Sequence, residues 1–124
     1  MARLGRASSL AATLALAGLG LSACGTGSAL TQARQACKDV NASLKIYATS
    51  QQPGLSATRR STLEASAMSR LLKATPAAAA ATSLDGSWNP LMTTINEAER
   101  VPLKNLVPAL TRLCGVADSS TPYL

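Results

Sequence analysis

Residues 30–47 read LTQARQACKDVNASLKIY, and within them Leu30, Ala33, Cys37, Val40, Leu44 and Tyr47 recur at steps of three, four, three, four and three. Side chains so spaced fall on one stripe of an α-helix, whereas a half-buried strand needs alternation at every second residue. Ser28 stands just before the stripe. A serine hydroxyl there can accept one of the free N–H groups of the first turn, so Ser28 is the expected N-cap, and Pro53 and Gly54 are the expected stop. A helix with one dry face must bury it against something, so the fold follows from what the rest of the chain supplies.

The rest supplies more helices and no strand pattern. A second helix is expected from Ser56, with Leu63, Ala67 and Leu71 on one ridge and Met68 and Leu72 on the next. Arg60 and Glu64 intrude on that apolar sector; four residues apart, they are placed to pair. Thr75 and Pro76 read as cap and first helical residue of a separate segment, which the alanines of 77–81 continue as helix or as a low-complexity linker. The main turn is LDGSWNP at 84–90, where Asn89 can cap and Pro90 open a third helix carrying Leu91, Met92, Ile95 and Ala98. Beyond Pro102, Leu103, Leu106, Val107, Leu110, Leu113 and Cys114 share a face. Pro108 fits that last helix only in its first turn, with Asn105 as cap, and Gly115 is the expected stop. The expected fold is all-α, a small four-helix bundle over 29–115 with a flexible tail at 116–124.

The N-terminus reads as an address. Arg3 and Arg6 precede LAATLALAGLGL, residues 10–21, and no acidic residue lies among them. The apolar run is about a dozen residues, short of the roughly 20 that span a bilayer as a helix. A positive start, a short apolar run and small residues after it make an export signal. Leu21, Ser22, Ala23 and Cys24 then resemble the lipobox of bacterial lipoproteins. That resemblance implies a signal peptide over 1–23, cleavage after Ala23, and a diacylglycerol on the Cys24 sulfur. The alternative is an ordinary signal peptide with Cys24 an incidental thiol. Residues 24–28 form a short tether of about 17 Å at most, so the domain is expected on the extracytoplasmic side of the cell membrane, close to it. ACKDVNASLKIYATS, TSLDGSWNPLMTTINEAERVP and LVPALTRLC also resemble pieces of small helical lipoproteins of actinobacteria and mycobacteria, a likeness that carries no catalytic residues.

Export gives the other two cysteines a role. In an oxidising compartment Cys37 and Cys114 are expected to pair, the alternative being two buried thiols. If the first and last helices are antiparallel, the bridge requires the first to overhang the last by about two turns. A core of alanine and leucine with no phenylalanine, and with Trp88, Tyr47 and Tyr123 as its aromatics, benefits from such a staple.

Composition excludes much chemistry. The chain has no histidine, so Ser-His-Asp and Cys-His catalysis and histidine metal sites are out of reach. The acidic residues are Asp39, Glu64, Asp85, Glu97, Glu99 and Asp118, with no calcium-loop spacing. No enzymatic activity, cofactor or metal is expected. Removing Arg3 and Arg6 from the twelve basic residues leaves ten against six acidic, a net +4. That is too weak for nucleic acid, but it suits anionic lipid or cell-envelope polymer. Arg34, Lys38 and Lys45 lie on one helical stripe and Arg59, Arg70 and Lys73 on another; they are candidate contacts to an anionic surface, or simply solvated faces. Trp88 is a candidate ligand or partner contact, or a lid on the core. The expected function is a membrane-anchored, non-catalytic interaction module that contacts an envelope protein or polymer. The alternative is a carrier holding an acyl chain among Leu44, Leu63, Met68, Leu72, Leu91 and Ile95.

Overall fold

The computed structural model describes residues 28–122. Among these residues it has α1 (Ala29–Ser50), α2 (Ala57–Leu72), α3 (Thr75–Leu84), a 3₁₀ turn (Gly86–Trp88), α4 (Asn89–Glu97) and α5 (Leu103–Asp118), and no strand. The caps follow side-chain chemistry where serine precedes the helix. Ser28 Oγ accepts from the Thr31 N–H at 3.2 Å and Ser56 Oγ from the Arg59 N–H at 3.0 Å. The chain turns after α1 through Gly54, whose φ of 84° is a conformation that glycine adopts without strain.

Four boundaries differ from expectation. Thr75 and Asn89 are not caps. Ala74 and Trp88 precede these helices already in αR geometry, so Thr75 and Asn89 take the first helical position and Pro76 and Pro90 the second. Proline costs nothing there, because first-turn N–H groups have no helical partner. In α5, Pro102 occupies the cap position and Pro108 lies inside the helix, not in a turn capped by Asn105. The bond Pro108 cannot donate would go to the Lys104 carbonyl; both residues are exposed, so water can take that group. Nor does Gly115 stop the helix. It has an ordinary negative φ, and α5 runs on to Asp118, so residues 116–118 belong to the bundle and not to the tail.

α1 packs against α2, α3 and α5. Its contact with α2 and α3 is a seam of small side chains. Ala36, Ser43 and Ser50 are fully buried at seven-residue spacing, and so are Ala67, Ala74 and Ala81 opposite. Small residues in register allow helix axes to approach toward the near end of the usual ~8–10 Å. The seam crosses the step at Lys73 and Ala74, so α2 and α3 act as one interrupted arm running back along α1. Gln51 bonds to Glu64, Ser43 to the Ala67 carbonyl, and Asp39 pairs with Arg70; at the end Ser28 and Leu30 lie beside Asp85 and Trp88. With α4 and α5 this makes a small four-helix bundle. Leu71, Leu91, Ile95, Leu110 and Leu113 fill its centre.

The disulfide joins Cys37 of α1 to Cys114 of α5, with Cα atoms 5.4 Å apart and a sequence separation of 77. Tyr47 lies near Pro102 and Leu103, and Arg34 reaches the Ala117 carbonyl, so the two helices are antiparallel. Asn41 also bonds to Asp118 at 3.3 Å, each residue four past its cysteine. Side by side, those positions would be about 12 Å apart along the axes; the helices therefore cross at an angle. Cys37 is eight residues into α1 and Cys114 four residues from the end of α5. The overhang is thus about 6 Å, near one turn rather than the expected two, because α5 continues past Gly115.

Candidate functional site

The six basic residues singled out from the sequence divide into two kinds. Arg34 is committed to the fold: its Nε donates to the Ala117 carbonyl at 2.8 Å and its Nη2 to the Ser119 carbonyl at 3.2 Å. Those carbonyls are free ends of α5, where the helix dipole is negative, so a guanidinium there caps the helix. Arg34 thus has two of its donors engaged within the fold while its side chain stays exposed. Arg70 is partly committed. Its Nε lies 2.8 Å from Asp39 Oδ1, with the N–H not aimed at the oxygen, so the contact is ionic without a formed hydrogen bond. Lys38, Lys45, Arg59 and Lys73 are exposed.

Those four share one side of the α1–α2 pair. One edge of the pair is covered: Tyr47, Glu64 and Met68 meet Pro102, Leu103 and Lys104 there. The other edge is where Asp39 and Arg70 bridge the helices. Arg59 and Lys73 lie on the Arg70 stripe beside the bridge, and Lys38 and Lys45 lie further round the solvent side of α1, on the stripe of Arg34 and Asn41. Charge is divided unequally along the chain. Residues 28–73 hold seven basic side chains (Arg34, Lys38, Lys45, Arg59, Arg60, Arg70, Lys73) and two acidic (Asp39, Glu64), a net +5. Residues 74–122 hold three basic (Arg100, Lys104, Arg112) and four acidic (Asp85, Glu97, Glu99, Asp118), a net −1.

Trp88 is 3% exposed and belongs to the core. Its outer edge lines an open groove of about 460 Å³ at the end of the bundle, with Leu30, Asp85, Ser87 and Pro122. Leu84, the exposed large hydrophobic residue at 55%, precedes this turn. Trp88 therefore acts first as a lid on the core. Asp85 sets the turn: its carboxylate accepts the Ser87 N–H at 3.0 Å. That backbone bond, with help from the Ser87 hydroxyl, holds the Asp85 carboxyl below its ordinary pKa. The expected Arg60–Glu64 pair is not the contact that forms. Glu64 accepts from Gln51 Nε2 at 3.3 Å, across from α1, and Arg60 lines a shallow surface groove with Leu55 and Ser61.

Two further carboxylates have partners, one local and one remote. Glu97 accepts from Arg100 at 2.6 Å and Asp118 from Asn41. Among the described residues no group of three histidine, cysteine or acidic side chains comes together. Residues 1–27, which hold the expected signal peptide, Cys24 and all of the expected tether but Ser28, lie outside the described residues. The roles of Arg34, Asp39 and Ser43 were missed in the sequence, and no local signal marks them, since each partner is remote in the chain. Compared with family models, curated proteins and solved structures, the chain matches none.

Proposed function

We propose that the chain is a lipid-anchored, non-catalytic interaction module of the cell envelope, held at the outer side of the cytoplasmic membrane through Cys24. The observation that carries this reading is where the fold leaves chemistry available. Leu91 and Ile95, two residues of the carrier lining, are fully buried in the core, while the grooves open to solvent and Lys38, Lys45, Arg59 and Lys73 stay exposed on α1 and α2. Such a molecule offers a surface rather than an interior. The Cys37–Cys114 bridge supports export, because such bonds persist in oxidising compartments.

Two measurements test this. Cys24→Ala should abolish acylation and change the mass of the membrane-bound form; an unchanged mass and unchanged fractionation refute the anchor. Native mass spectrometry of the mature protein should show the acylated chain alone, and crosslinking from native membranes should capture a partner through surface positions such as Lys38. An apolar ligand retained in stoichiometric amount would replace the module with the carrier.

A further inference from the structure

We infer that the uncovered face of α1 and α2, carrying Lys38, Lys45, Arg59 and Lys73, lies against the anionic surface of the bilayer to which the chain is tethered. The inference rests on the reading that Cys24 carries the anchor. Three observations lead to it. The face carries four exposed cations, and the segment that bears it, residues 28–73, has a net +5 while the remainder of the described chain carries −1. Two carboxylates border the face and both are engaged within the fold, Asp39 by Arg70 and Asp118 by Asn41, which leaves the four exposed cations in excess. And the covalent connection enters at the same element, since Ser28 caps α1.

The tether decides the partner. From Cys24 to Ser28 the chain advances four residues, at most about 14 Å. The start of α1 is thereby held within about two Debye lengths of the headgroups at physiological salt, one such length being ~8 Å. A basic side chain near an anionic leaflet is attracted individually only weakly, but four on a tethered rigid face act at high effective concentration. α1 and α2 lie side by side along the Ser43–Ala67 seam, so a surface laid along their solvent side comes within reach of all four long, exposed side chains. An envelope polymer would meet the same face but would gain nothing from the tether.

The lysines provide the test. Lys38, Lys45 and Lys73 are on the face; Lys104 is on α5 and serves as an internal control. The mature anchored protein is reconstituted in vesicles of phosphatidylglycerol and phosphatidylcholine, or of phosphatidylcholine alone. Surface lysines are then acylated with a water-soluble reagent and read by peptide mass. In the anionic vesicles the three face lysines should react about tenfold or more slowly than Lys104. The difference should vanish in phosphatidylcholine or at high salt. Lys38→Glu with Lys73→Glu should restore labelling at Lys45, whereas Lys104→Glu with Arg112→Glu, the same change in net charge, should not. Equal labelling of all four lysines in anionic vesicles overturns the inference and leaves the anchor standing. Protection by added polyphosphate but not by the vesicle overturns it in favour of a polymer. Release from the phosphatidylcholine vesicles overturns the anchor itself.

Discussion

Ser43 of α1 donates its hydroxyl to the main-chain carbonyl of Ala67 in α2 at 2.6 Å, and both residues are fully buried. A side chain can reach a neighbouring helix's backbone this way only where the axes are close, and Ser43 sits in the middle of the small-residue seam that brings them close. Ser43→Ala removes one buried hydrogen bond without adding volume, so it should cost about 1 kcal/mol in urea unfolding. Ser43→Val adds volume where there is none, and should cost about 1–3 kcal/mol beyond that. Equal stability of the valine and alanine variants would show that the seam is not tight.

Gly115 lies within α5, exposed, with ordinary helical backbone and nothing within 4 Å of where a Cβ would stand. Gly115→Ala should therefore stabilise the protein by about 0.5–1 kcal/mol, by restricting the unfolded chain. Had the glycine ended the helix in a left-handed conformation, as its sequence position suggests, the same change would destabilise. Thermal unfolding distinguishes the two by sign.

The Cys37–Cys114 bridge closes a loop with a sequence separation of 77. On the chain-entropy model, opening it costs about 4 kcal/mol, which is a large part of the stability a domain of this size holds. Non-reducing peptide mapping should recover the linked pair. Reduction, or Cys37→Ala with Cys114→Ala, should lower the melting temperature by many degrees. Two alkylatable thiols in protein exported by its own host would refute the staple.

Asp85 carries the pH prediction. Its carboxyl is depressed below the ordinary 3.8, first by the Ser87 N–H and then by the Ser87 hydroxyl. A depressed acid stabilises the fold above its unfolded pKa and loses that contribution as pH falls through the folded value. Asp85→Ala should thus be less stable than the parent at neutral pH, with the difference fading in acid below pH ~4. The group is fully exposed, so the effect is small; amide exchange at Ser87 and Trp88 is the sensitive readout. A difference that grows on acidification would overturn the sign.

What the sequence determined by itself is what short-range physics controls. The stripe from Leu30 to Tyr47, the cap at Ser28, the opening of the second helix at Ser56, the break at Pro102 and the inward direction of Cys37 and Cys114 all depend on residues within a turn or two, and the structure places each as read. So does the helical class, because side-chain spacing and backbone period are one geometry. Tertiary structure alone decided the rest. Ser43 and Ser50 look polar on a helical wheel and are buried, because the partner arm presents alanines that leave room only for small side chains. Arg34, Lys38 and Lys45 share a stripe, yet Arg34 is taken by the end of α5 and the other two are left to solvent. Glu64 bonds to Gln51 rather than to Arg60, one turn away. Gly115 and Pro108 carry helix-breaking signals that packing overrides, since Leu106, Leu110, Leu113, Cys114 and Ala117 bury one continuous face across both. A long flexible charge or a backbone break settles according to which helix end, carbonyl or apolar surface comes within reach, and that is fixed only when the helices have met.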